Sequence, residues 1–185
     1  MQKAGSAVGS LMFLVVAPGT TAVLVPWLLT GWDQHVPPPS AAVRLVGVGL
    51  IAAGTAVLLS AFARFVFEGR GTPAPVAPTQ QLVVGGLYRH VRNPMYLAVT
   101  ATIVGQALVL GRVELVVYAA LFVGTTAAFV RLYEEPTLRA RYGPEYDAYR
   151  RAVPGWWPRL KPWKVAGARA ASPGSDGDRR QPGGR

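Results

Sequence analysis

The chain alternates long apolar runs with short polar breaks, and the breaks are built from residues that stop helices. The first run spans about Val8 to Trp32 and contains Pro18 and Pro26, which predicts a kinked membrane-spanning helix. It is too long for a signal-peptide core and has no small-residue cleavage site ahead of a soluble domain. Pro37, Pro38 and Pro39 then force a loop. A second run covers about Ala41 to Phe67. Its small residues, among them Gly47, Gly49 and Gly54, suit close approach of a neighbouring helix, and Arg64 lies at its exit. A third begins at Asn93-Pro94, a helix-start pair, and ends near Leu110. Gly111-Arg112 turns the chain into a fourth run, about Val113 to Val130, expected to continue through Glu134 and Glu135.

Between the second and third runs the pattern breaks down. Residues 71–78 are rich in proline and favour extended structure, and the loop as a whole runs from about Gly71 to Asn93. Loops this long inside a compact bundle tend to carry function. After the fourth run, Tyr142, Tyr146 and Tyr149 recur at helical spacing over Leu138–Tyr149. This predicts a helix lying on the membrane surface with its rings on one face. Trp156 and Trp157 follow as interfacial anchors, and from Ala166 onward the composition predicts disorder.

Composition sharpens this picture. Hydrophobic residues make up 51% of the 185 positions and charged residues only 15%, against roughly 25% charged in an average soluble domain. The expected fold is an all-α integral membrane bundle of about four transmembrane helices with a cytoplasmic C-terminal interfacial helix. One membrane domain would cover residues 1–164, with spans at 8–32, 41–67, 94–110 and 113–130, a loop at 71–93 and an interfacial segment at 131–164. A basic tail at 165–185 completes the chain. The net charge of +10 lies mostly beyond the last apolar run. It reads as contact with anionic membrane lipids, not nucleic acid, because base-reading helices and RNA-binding aromatic strands are absent. Basic residues concentrate in the 71–93 loop and after the fourth run, which places both termini, that loop and the Glu134-Glu135 segment in the cytoplasm of a multi-pass inner-membrane protein. With no cysteine and two histidines, disulfides and thiolate chemistry are excluded and a metal site is not expected.

Two polar clusters fall on one side of the membrane under this topology. The first, Tyr88 to Tyr96, sets a helix N-terminus beside Arg89 and Arg92, an environment for an anion. The second sets Arg131 three and four residues before Glu134 and Glu135, so that they share a face and can pair. Adjacent carboxylates at the end of an apolar helix suit a cation or hydroxyl groups. Ordinary helix capping and cytoplasmic flanking charge are the plainer readings of the same residues, and spacing alone selects no reaction.

The order of motifs narrows the choice. Gly86-Leu87-Tyr88, Arg92-Asn93-Pro94-Met95-Tyr96, and Tyr133-Glu134-Glu135-Pro136 with Leu138 resemble the isoprenylcysteine carboxyl methyltransferase family. Tyr142-Gly143, Tyr146, Tyr149 and Val153-Pro154 resemble its C-terminal signature. The related phospholipid N-methyltransferases share the plan, and the likeness covers about Gly71 to Pro158. It implies S-adenosyl-L-methionine as cofactor, held by Gln80, Gln81, Leu82, Val83, Tyr88, Asn93, Pro94, Met95, Tyr96 and Glu134. It implies catalytic roles for Arg131, Glu135 and Arg92, and a lipophilic small-molecule or lipid-modified substrate entering from the bilayer. Better-known members have Arg-His-Pro where this chain has Arg92-Asn93-Pro94, and Asn cannot act as a general base near neutral pH. The acceptor stays open between an isoprenylcysteine-type carboxylate and a phospholipid or small-molecule amine or thiol. A nicotinamide-dependent membrane reductase and a non-catalytic membrane protein are the alternatives.

Overall fold

A computed structural model of the chain describes residues 16–35, 38–67 and 82–163. The described residues form helices and connecting segments with no strand. Helix α1 covers Val16–Thr30, α2 Ala41–Phe67 and α3 Pro94–Leu110. Helix α4 runs unbroken over Val113–Tyr142, and α5 covers Pro144–Ala152. A single 3₁₀ turn, Gly86–Arg89, precedes α3. The start of the first predicted span, most of the 71–93 loop and the tail at 165–185 lie outside the described residues.

Helix α3 is the central element. One face contributes Val99, Ile103, Ala107 and Leu110 to a buried cluster with Ala22 of α1 and Leu115 and Ala119 of α4. Its other face lies against α2 at glycine contacts. A methyl group added at Gly47 would come within 2.7 Å of the Gly105 carbonyl oxygen, and one at Gly54 within 2.6 Å of the Ala98 carbonyl oxygen. The predicted close approach is therefore real at these two positions, whereas Gly49 faces open space.

The outward faces of α2 and α4 are as apolar as the interior, with Leu45, Val46, Val48, Val117 and Leu121 all exposed. In water such a surface would be a liability, while in hydrocarbon it is what a bundle presents. Two helical stretches, Ala41–Arg64 and Val113–Tyr142, are long and apolar enough to cross a membrane, and α1 and α3 are shorter apolar helices. At 1.5 Å per residue α4 would reach about 45 Å, longer than a hydrocarbon core of about 30 Å.

Both α1 and α4 contain a π-helical turn, at Thr20–Leu24 and Val130–Glu134. In each the next backbone N–H reaches five residues back, Val25 to Thr20 and Glu135 to Val130. Each turn is followed by proline at the same offset, Pro26 and Pro136. A proline in a helix clashes with the carbonyl four residues earlier, and widening the turn before it moves that carbonyl away. In α1, Ala22 accepts from Gln106 Nε2 at 2.7 Å and Thr21 from the Tyr118 hydroxyl at 2.9 Å. Two carbonyls of the kinked stretch are thereby held by α3 and α4.

The C-terminal region departs from the expectation of one surface helix. Gly143, at φ +52° and ψ −128°, separates α4 from α5 in a conformation that only glycine adopts readily. Tyr146 and Tyr149 do not form a membrane-facing stripe. They are buried with Val153 in a cluster that also gathers Leu82, Val84, Leu138 and Trp163, and the Tyr149 hydroxyl donates to the Tyr88 carbonyl at 2.7 Å. The spacing was right, but the face points inward because the segment leading to α3 returns over it.

Candidate functional site

The site forms at the end of the bundle where α3 begins and α4 leaves the apolar layer. Residues Leu82 to Val84 lead into it, and alternate side chains part. Leu82 and Val84 join the tyrosine cluster, while Val83 packs with Ala61 of α2 and Tyr88. Then Gly86, at φ +54°, bends the chain against Arg64, whose Nε would lie 2.8 Å from an added methyl. Tyr88 follows on the 3₁₀ turn and is buried. Burial pushes its phenol well above the usual tyrosine range, so it stays neutral.

A strap from Val153 to Trp163 lies across the start of α3 and is stitched to it by backbone and side-chain bonds. Arg92 N–H donates to the Pro154 carbonyl at 2.9 Å, and Arg159 N–H to the His90 carbonyl at 3.0 Å. Trp163 N–H donates to the Arg89 carbonyl at 2.9 Å, and Arg89 Nε returns a bond to the Trp163 carbonyl at 2.6 Å. His90 Nδ1 lies 2.8 Å from the Arg159 carbonyl. Side chains expected to attract an anion are thus engaged with carbonyls of the strap.

Arg92 is engaged further. Its Nε donates to the Val153 carbonyl at 3.0 Å, and its Nη1 to Glu135 Oε1 at 2.6 Å and to the Tyr146 hydroxyl at 3.2 Å. The other Glu135 oxygen lies 3.1 Å from Arg150 Nε. Glu135 therefore ties α4 to α5 and to the segment just ahead of α3 at once, through two arginines. Arg131 does not make the pair with Glu134 or Glu135 that spacing suggested. Arg92 and Arg150 take Glu135, and Arg131 is exposed on α4.

Glu134 is different. Among the described residues it has no ion pair, and its carboxylate accepts from the Tyr96 hydroxyl at 3.2 Å. The Tyr96 ring stacks on Trp156 of the strap, with centroids 6.2 Å apart, and meets Phe122 edge-on at 6.5 Å. Asn93 is 6% exposed. It opens α3 without capping it through its side chain, which departs from the expected cap. Instead its Nδ2 donates to the Gly155 carbonyl at 3.1 Å. That bond fixes which end of the amide is nitrogen and leaves Oδ1 without a protein partner among the described residues.

These groups line a cleft of about 160 Å³, polar at Asn93, Tyr96 and Glu134 and apolar toward Pro18, Phe62 and Phe122. Tyr88, Arg92, Pro94 and Met95 also border it. Of the residues expected to hold a cofactor, six thus converge on one cleft. Val83 adjoins it through Tyr88 and Met95, Leu82 packs in the tyrosine cluster instead and does not line the cleft, and Gln80 and Gln81 lie outside the described residues. Reasoning from sequence missed Trp156 and Gly155 as site neighbours. Only the strap's return over α3 reveals them, and no local motif marks it. No group of three or more metal-ligating side chains occurs among the described residues.

Taken together, the described residues form an all-helical bundle with an amphipathic cleft at one end. A family model described as phospholipid methyltransferase matches residues 43–145, more than half of the chain, and the chain belongs to that family. The match takes in α2, α3, α4 and the polar residues from Tyr88 to Glu135, but not α1 or the strap. No curated protein and no solved structure matches the chain.

Proposed function

We propose that this chain is a multi-pass membrane enzyme that transfers a methyl group from S-adenosyl-L-methionine to a lipophilic acceptor at the cytoplasmic face. The observation that carries the reading is the Glu134 carboxylate, held by Tyr96 and without an ion pair among the described residues, facing the same cleft as the start of α3, which has no side-chain cap. The cofactor is a cation at sulfur with an ammonium, a carboxylate and a ribose diol. The residues fit it. Glu134 offers an anion, Asn93 Oδ1 a buried acceptor, and the first N–H groups of α3 a place for a carboxylate.

When bound, the cofactor supplies an activated methyl group on a leaving group that departs neutral. The chain's own residues then position more than they react, because in-line transfer needs alignment above all. Tyr96 holds the Glu134 carboxylate in place, and Trp156 holds the Tyr96 ring. Arg92 and Glu135 act as positioning residues that fix α3 against α4. Arg131, exposed before Glu134, is assigned to the headgroup of the acceptor and not to the reacting atom. The apolar end of the cleft excludes water and accepts a hydrocarbon chain.

Two acceptor classes are in play. The signature from Tyr133 to Pro154 favours an isoprenylcysteine-type carboxylate, which needs no general base. The family description and a cleft holding a carboxylate without an ion pair favour a phospholipid amine. The test is incubation of the purified full chain with methyl-labelled cofactor and each acceptor, a prenylated cysteine and phosphatidylethanolamine. Label in one product, lost in Glu134→Gln, supports the reading and names the acceptor. Failure of folded, lipid-reconstituted protein to label either acceptor would sink it.

A further inference from the structure

The strap has two faces with opposite character. Inward, the Gly155 carbonyl holds Asn93 and Trp156 stacks on Tyr96. Outward, Trp157 is 83% exposed and Leu160 96%. Single exposed apolar side chains are ordinary. Here two stand three residues apart on a segment with no acidic residue, at the bundle end where α4 leaves its apolar stretch. Arg151 and Lys161 flank them, both exposed and without a carboxylate partner among the described residues. An exposed indole and an exposed leucine on one short segment, flanked by cations with no carboxylate partner among the described residues, suit the boundary between acyl chains and anionic headgroups.

We propose that the strap Val153–Trp163 is a membrane-contacting lid, with Trp157 and Leu160 seated in the interfacial layer of an anionic bilayer. Arg151 and Lys161 meet phosphate groups there. One short segment then links lipid contact outside to the placement of Asn93 and Tyr96 inside. If the proposed cofactor site is accepted, ligand affinity follows the charge of the surrounding lipid.

The chain contains no cysteine, so a single environment-sensitive label can be placed by Leu160→Cys in the full protein. The labelled protein is reconstituted in nanodiscs of phosphatidylglycerol-rich lipid or of phosphatidylcholine alone. Expected is quenching by nitroxide-bearing phospholipids and protection from aqueous iodide, strongest in the anionic discs. Removing the charges with Arg151→Gln and Lys161→Gln should weaken partition of the strap roughly fivefold for each charge. A label open to iodide and untouched by lipid nitroxide in both lipids overturns the proposal, and this readout is independent of any enzymatic activity. The coupling is read by titrating S-adenosylhomocysteine into the unlabelled protein in both discs. Tighter binding in the anionic discs, lost in Arg151→Gln/Lys161→Gln, supports it. Equal affinity in both discs overturns the link between lid and site, and no binding in either counts against the cofactor reading instead.

Discussion

At the scale of single residues, Glu134 and Glu135 are neighbours with different surroundings. Glu135 bridges Arg92 and Arg150, and loss of one partner from such a half-buried pair leaves the other uncompensated. Glu135→Gln is therefore expected to lower thermal stability, whereas Glu134→Gln should leave it nearly unchanged and abolish ligand binding. Differential scanning fluorimetry beside a binding assay separates the two. Tyr96→Phe deletes a hydrogen bond to a charged group, worth about 1.5–3 kcal/mol, so affinity should fall roughly tenfold to a hundredfold if that carboxylate holds the ligand. The buried tyrosines predict a pH profile. Burial raises the phenol of Tyr149 above its ordinary value, with Arg92 acting in the opposite sense and Tyr146 adding to the rise. A group whose folded value is raised contributes stability fully below the unfolded value, about 10. That contribution is lost as pH climbs through the folded value. Melting temperature should thus show no tyrosine-linked loss up to about pH 10 and fall above it, less steeply in Tyr149→Phe. The sequence made most of these residues visible as candidates, because the motifs near Tyr88, Asn93 and Glu134 are local. Only the family resemblance separated Glu134 from Glu135; their spacing could not, since the difference in surroundings is made by Arg92, Arg150 and Tyr96 arriving from elsewhere in the chain.

At the scale of elements, apolar run lengths and helix-stopping residues located the starts of α2, α3 and α4, because Pro94 and the Gly111-Arg112 turn act on the backbone directly. The π turns were hidden, although their cause, Pro26 and Pro136, stood in plain view. A widened turn is one of several ways a helix accommodates proline, and only packing selects it. The turn at Val130–Glu134 adds a residue just before the carboxylates and so sets which of them meets the cleft. Pro136→Ala removes the reason for the turn. It is expected to raise or preserve stability, since proline in a helix interior costs about 3 kcal/mol, while ligand affinity falls as Glu134 rotates away. Unchanged affinity together with an unchanged helix register would show that the turn has no such role. The glycines give a paired test on α2. Gly47→Val places carbons where the Gly105 carbonyl stands and should destabilise by about 1–3 kcal/mol, as overpacking does. Gly49→Ala faces open space and should be neutral or stabilising by up to about 1 kcal/mol. Thermal unfolding in one lipid system compares both.

At the scale of the whole molecule, the apolar exterior of α2 and α4 and the polar crowd at one end belong to a single design. Helices solve the backbone's hydrogen bonding inside a bilayer; among the described residues the 82–93 segment and the strap cover each other at one end, and the short connections at 31–40 and Gly111-Arg112 meet at the other, where His35 N–H donates to the Leu110 carbonyl. The general architecture was legible because hydropathy is a property of the chain itself. The inward turn of the tyrosine face and the return of the strap were not, because both depend on segments more than sixty residues apart meeting, as Tyr88 and Tyr149 do. The central claim is that the cleft between Asn93, Tyr96 and Glu134 holds S-adenosyl-L-methionine. Its most direct test is calorimetric titration of the purified full chain with S-adenosylhomocysteine, beside Glu134→Gln and the exposed-site control Arg131→Ala. The account predicts saturable one-site binding, lost in Glu134→Gln and retained in Arg131→Ala. Absence of binding by folded wild-type protein, or binding untouched by Glu134→Gln, would contradict it.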